Sequence, residues 1–297
     1  MHSLDLYVSL CRTLGPCTDL VQGAGGNISV KVVDAEQTMY IKSSGTLMAN
    51  TTHSSGWVRV SVSSPSTVLE GTGRPSMEAV FHTLPWRIVV HLHPINHLNV
   101  LCSADFQPGF RDGILYIPYM TPGEDLGTSI LAASREAPHA QTIYLQNHGV
   151  IYLANTEDEI YTLILNDSRG SPALTSDISA IRALRKDISD TWTKDLLIKP
   201  CFALKATSPI STIRMYTPDM ALFIHKHGVS TKQPSIWFNK GIIYTIAPTI
   251  SDCYSIEELL LAYSAVDPGT TTALTADEIS ALFSSEKEKA RLAAAGR

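Results

Sequence analysis

The stretch Val89–Pro94, VVHLHP, ends an otherwise apolar run with two histidines spaced two apart. On a β-strand, residues i and i+2 share a face, so His91 and His93 project together from the end of a strand whose apolar content marks it as buried. The chain has to fold around this strand. Paired imidazoles at a buried strand end are also a place to grip a metal ion.

The flanking sequence alternates helical and strand periodicity. Residues 3 to 15 carry apolar positions at helical spacing, and VQGAGGNISVKVV then passes through glycines into strand-like alternation. TMYIKSSG and WVRVSV read as short antiparallel strands, and PSMEAVFHTL as a helix opened by a proline and a serine. After RIVVHLH come a short helix from Asn96, a strand at GILYI, a helix over EDLGTSILAASREA, strands at TIYLQNHG and VIYLA, and a helix over TEDEIYTLILNDS. Beyond the polar RGSPALTSD, the signals in RMYTPDMALFIHKHG, SIWFNKGIIYTIA and SIEELLLAYSAV predict a second, smaller α/β unit. The last residues, SSEKEKARLAAAGR, read as a solvated helix with a fraying end. The predicted division is 1-199 and 200-297.

Composition narrows the partners. A net charge of -5 gives no global basic surface for nucleic acid or an acidic membrane, so a small molecule is expected. The N-terminus lacks the pattern of a secretory signal and no run of 18 apolar residues occurs, so a cytoplasmic location is expected. The five cysteines, Cys11, Cys17, Cys102, Cys201 and Cys253, form no C-x-x-C pair and read as small core residues in a reduced compartment.

His148, in QNHGV at the end of another apolar strand, is the natural third imidazole, followed by a glycine that permits a sharp turn. Three protein ligands leave a coordination position open, as a catalytic zinc requires. Glu78 lies just upstream and is the carboxylate to move protons beside the ion. His82 reads as a structural partner of the same segment, His97 as a surface or capping residue, and the H-x-H of His225 and His227 as an exposed edge or loop. GAGGNIS fits neither dinucleotide nor P-loop spacing. What remains there is a turn carrying Asn27, a second turn carrying Ser44 and Gly45 whose amides suit an anion, and Ser76 at a predicted helix start.

Taken in order, GGNIS, KSSG, PSMEAVFH, VVHLHP and QNHG resemble the motif series of the class II aldolase/adducin family, which includes fuculose-phosphate and rhamnulose-phosphate aldolases. The resemblance spans roughly residues 3 to 170. It implies an α/β fold with three α/β/α layers around a central, mainly antiparallel sheet, the C-terminal α/β extension lying outside it. It implies one zinc, or another divalent transition metal, on His91, His93 and His148, with Glu78 as acid/base. Asn27, Ser44, Gly45 and Ser76 match the phosphate-binding positions. It further implies a homotetramer with each site near a subunit interface.

The activity so implied is aldol and retro-aldol cleavage of a sugar or sugar phosphate through a metal-stabilised enediolate. Relatives of this fold also decarboxylate, epimerise or dehydrate, and the adducin head is an interaction module without the metal site. Three features depart from the family pattern. Met77 stands where fuculose-phosphate aldolase has a second serine, which bears on whether the substrate is phosphorylated. The interval after HLHP is shorter and leaves the proton-donating tyrosine unmatched, with Tyr116 and Tyr119 nearby. Residues from about 200 to 297 have no counterpart in simple members, and YTPDMALFI only faintly resembles large aldolase/dehydrogenase proteins.

Overall fold

Nine short strands follow one another through the first half of the chain: β1 (Asn27–Lys31), β2 (Thr38–Lys42), β3 (Trp57–Ser61), β4 (Val68–Gly71), β5 (Ile88–Leu92), β6 (Gly109–Arg111), β7 (Ile114–Ile117), β8 (Thr142–Leu145) and β9 (Gly149–Ala154). They form a single sheet in the order β4-β3-β2-β1-β5-β9-β8-β7-β6. Every pairing is antiparallel except β7 with β8. The computed structural model describes residues 2–32, 37–168, 191–193, 196–205, 214–222, 236–239, 242–247 and 249–284.

The central strand β5 is buried along its whole length, and its alternation sorts its side chains to two sides. Ile88, Val90 and Leu92 join Val150 and Tyr152 of β9 in a core shared with helix α1 (Ser3–Leu14) and with Ile160 and Ile164 of a later helix, Glu157–Ser168. Val89, together with Ile151 and Leu153, faces the other way, toward Leu126 and Ile130 of the helix Glu124–Glu136. Two helical layers thus enclose the sheet, as the resemblance implies. His91 and His93 fall in the same alternation as Val89.

A second sheet of four antiparallel strands, in the order β10-β11-β13-β12, comprises β10 (Thr191–Thr193), β11 (Leu196–Lys205), β12 (Ile236–Asn239) and β13 (Ile242–Ala247). Strand β11 runs across the position at which the sequence divides the chain. The helices Ile250–Ser264 and Ala276–Ser284 follow. Leu259, Leu260 and Met220 of this region share one core with Ile95, Leu98 and Cys102, the residues that come directly after HLHP. Backbone bonds continue the join: Thr272 N–H donates to Cys102 O at 2.7 Å and Ala104 N–H to Thr270 O at 3.0 Å.

Several local expectations need correction. Glu78 is on no regular helix: residues 77–80 are turns that lead into a 3₁₀ helix, Phe81–Thr83. Pro85 accounts for the early end, because the residue before a proline is driven out of helical conformation, and Leu84 is extended at φ -46°, ψ 146°. His97 is buried, not on the surface, and its Nε2 lies 3.1 Å from Asp167 Oδ2, an oxygen that also accepts from Tyr152 at 2.7 Å. Cys11, Cys102 and Cys253 are buried, whereas Cys17 is exposed just beyond the end of α1. Among the described residues, no helix is long and apolar enough to cross a membrane. His225, His227 and residues 285–297 lie outside the described ones.

Candidate metal centre and cleft

His91, His93 and His148 come together as buried residues, their candidate ligand atoms all within 4.8 Å of one another. Strand β5 delivers the first two, and the turn between β8 and β9 delivers the third. That turn depends on Asn147, which adopts φ +52° and anchors its side chain by donating to Tyr216 O at 3.0 Å and Thr272 O at 2.8 Å. The positive φ therefore falls at Asn147, one residue before the histidine, and not at the glycine after it.

Gly149 has a different task. A Cβ there would collide with the Leu92 carbonyl and stand 2.7 Å from His93 Cδ2 and 2.9 Å from His91 Cε1. Only a residue without a side chain lets β9 lie this close to the histidines. Gly149→Ala is expected to destabilise the fold by about 1–3 kcal/mol through overpacking, read by denaturant unfolding, and to weaken metal binding in the same sample.

Hydrogen bonds fix how the rings are presented. His91 Nδ1 donates to Val150 O at 3.1 Å, and Asp219 Oδ2 lies 2.9 Å from His93 Nδ1. The carbonyl can only accept, so His91 carries its proton on Nδ1 and turns an Nε2 lone pair inward. The two Nε2 atoms stand 3.0 Å apart. That separation is a hydrogen bond when His93 Nε2 carries the proton, and a bound cation would take the place of that proton between the two nitrogens.

Burial, together with the neighbouring imidazoles, keeps His91 and His148 neutral. Desolvation, reinforced by His93 and His148, drives His91 well below its ordinary pKa, and desolvation with His93 lowers His148 to about 3. The donor set thus fits a divalent transition metal: three imidazoles, converging nitrogens and a carboxylate at hand. Glu78 Oε1 lies 3.3 Å from His148 Nε2, and Oε2 3.7 Å from His91 Nε2.

Glu78 is itself positioned by a chain of buried groups. Asn27 Nδ2 donates to Glu78 Oε2 at 2.7 Å and to Ser76 Oγ at 3.2 Å. Asn27 Oδ1 accepts from His82 Nε2, and His82 Nδ1 accepts from Ser29 Oγ at 2.7 Å. His82 therefore acts on the site at one remove, by holding the Asn27 amide the right way round. Burial raises the Glu78 carboxyl above the usual carboxylate range, partly offset by His93 and by the Asn27 hydrogen bond.

The cleft beside this cluster is lined by Asn27, Ser44, Gly45, Ser76, Met77 and Glu78 together with His93 and His148. The structure thus brings every candidate site residue to one place, with His91 buried immediately behind. Ser44 is less available than its motif suggests, because its amide already donates to Arg74 O at 2.8 Å. Met77 contributes an apolar surface to the same wall. Tyr116 stacks edge-on with Phe106 and Tyr144 under Arg111, in the α1 core and away from the cleft, and Tyr119 packs against the C-terminal core.

Three contributors are absent from the sequence reading. Lys42, the last residue of β2, is buried in the cleft wall with Nζ donating to Gly26 O at 2.9 Å and to Ala24 O. A lysine ending an otherwise apolar strand, as the first residue of KSSG, was the signal for it. Asp219 and Leu222 enter from the C-terminal region, and no local pattern marks them.

A family model, the class II aldolase and adducin N-terminal domain, matches residues 6–166. Among curated proteins, the uncharacterized oxidoreductase YuxG of Bacillus subtilis is 28% identical over 93 residues, which is 30% of this chain and 14% of that protein's length. Among solved structures, the N-terminal class II aldolase domain of a conserved protein from Thermoplasma acidophilum aligns with a TM-score of 0.46 at 21% identity, covering 54% of this chain and 87% of that one. An L-fuculose-1-phosphate aldolase from Thermus thermophilus aligns with a TM-score of 0.43 at 20% identity, covering 62% and 98%. The residues matched by the family model include all three histidines and Glu78, and span more than half of the sequence: the chain belongs to the class II aldolase and adducin N-terminal domain family.

Proposed function

We propose that this chain is a zinc-dependent lyase that makes and breaks a carbon-carbon bond in a sugar or sugar phosphate by aldol chemistry. The observation that carries the reading is the convergence of three imidazoles and one buried carboxylate at the wall of a cleft. A divalent ion held by His91, His93 and His148 supplies Lewis-acid stabilisation of the negative charge that develops on substrate oxygens as the bond breaks.

The remaining work belongs to the chain. Glu78, with its proton affinity raised by burial, takes up or returns the proton at the substrate carbon next to the carbonyl. Asn27 keeps Glu78 Oε2 in place through the exchange. Ser44, Gly45 and Ser76 line the part of the cleft that receives the far end of the substrate, with the Lys42 ammonium beside them. Met77, Leu222 and Leu282 give that cleft apolar patches, which favours a substrate end carrying less charge than a phosphate.

A homotetrameric, cytoplasmic enzyme accompanies this reading. The test is an aldehyde-release screen of ketose phosphates and unphosphorylated ketoses with the zinc-loaded protein. Cleavage of a ketose supports the lyase, and the preferred class tells whether Met77 relaxes the phosphate requirement. Metal binding without cleavage would transfer the assignment to a decarboxylase, epimerase or dehydratase at the same site. A protein that binds no metal would instead fit the adducin-like interaction module.

A further inference from the structure

His93 lies within the family domain, yet its outer nitrogen meets a carboxylate from far along the chain. Asp219 Oδ2 stands 2.9 Å from His93 Nδ1, and both side chains are about nine-tenths buried. Asp219 occupies a helical turn, Pro218–Met220, whose start is capped by Thr217 Oγ1 accepting from Met220 N–H at 3.3 Å.

The chain on both sides of the contact is shaped for it. A Cβ on Gly25 would stand 2.6 Å from Asp219 Oδ2 and 2.8 Å from His93 Nδ1, so the glycine run leaves room for a carboxylate and an imidazole to meet. The same segment is tied to the third histidine, because Asn147, the residue before His148, donates to Tyr216 O and Thr272 O. Leu274 N–H donates to Met215 O at 2.8 Å, closing the strap behind it. Met220, Ala221 and Leu222 are buried in the core that also holds Ile95 and Leu98, directly after HLHP.

A histidine ligand is oriented by what its second nitrogen bonds to, and a carboxylate there fixes the tautomer and makes the ligating nitrogen more basic. We propose that Asp219 is a positioning residue of the metal centre: through His93 Nδ1 it fixes that ring's tautomer and direction, which makes the C-terminal region a working part of the site. This rests on the metal-holding part of the function proposed above, and on none of its carbon-carbon chemistry.

Zinc affinity of the full-length protein, measured by competition with a chromophoric chelator, compares the parent with Asp219→Ala and Asp219→Asn. Asp219→Ala is expected to bind zinc about 10–100-fold more weakly. Asp219→Asn, the same size and still offering an oxygen acceptor, is expected to lose less. The second readout is made on the chelated protein at about pH 8, from the ¹⁵N resonances of labelled histidines, with His93 identified by its loss in His93→Gln.

The parent is expected to show His93 protonated at Nδ1, and Asp219→Ala to show a mixture with the Nε2-protonated form. A role in packing alone would leave the isosteric Asp219→Asn at parental affinity and the tautomer unmoved by either change. Zinc affinities equal within twofold, or an Nδ1-protonated His93 that survives Asp219→Ala, overturns the proposal. If no ketose is cleaved while the affinities and tautomers follow the expected order, only the lyase reading falls. If the parent binds no zinc, the metal reading falls, and the tautomer comparison still decides whether Asp219 directs His93.

Discussion

Replacing His93 with alanine is expected to take the bound ion from about one per chain to a small fraction and to slow turnover by about 10³-fold or more. His93 Nε2 faces His91 Nε2 at 3.0 Å, and Asp219 Oδ2 lies 2.9 Å from its Nδ1, so in the proposed centre the ring would be a ligand that no neighbour replaces. Losing it leaves two imidazoles and a carboxylate around the ion. Since Lewis-acid stabilisation supplies several kcal/mol of the barrier reduction, and each 1.36 kcal/mol is a factor of ten, a thousandfold loss is the scale to expect. His97→Gln is the control: an equally buried histidine joined to Asp167 on the other side of the sheet should leave the ion in place. Elemental analysis of the two purified variants beside the parent decides it.

Glu78→Gln is expected to retain the ion and to lower kcat by about 10²–10⁴-fold, the usual contribution of a positioned general acid or base. The amide keeps the size of the side chain and still accepts from Asn27 Nδ2, so the fold around it is preserved. What it cannot do is carry a proton between substrate and solvent. Metal content and kcat measured on one preparation separate the two roles. A variant that loses the ion would make Glu78 mainly a ligand, and one with unchanged kcat would place proton transfer elsewhere.

Much of this arrangement is legible in the sequence because alternation on a buried strand is a strict code. Val89, His91 and His93 share a face for the same reason that Ile88, Val90 and Leu92 share the opposite one, and the structure keeps both sets. The exposed edge strands β4 and β6 left no such trace, since neither buries a face that would impose alternation. The segment holding Glu78 has helical apolar spacing but is too short before Pro85 to nucleate a helix, so its turns could not be read from periodicity. Asp219 was invisible for a deeper reason: its place depends on a tertiary contact between a helical turn and a glycine run near the N-terminus.

The central claim is that His91, His93 and His148 form a metal centre, and it is tested most directly by titrating the chelated protein with zinc and recording X-ray absorption at the end point. The account predicts saturation at about one ion per chain, with imidazole nitrogens at about 2.0–2.1 Å and no sulfur in the shell. Uptake without a saturating end point, or a shell containing thiolate, would contradict it.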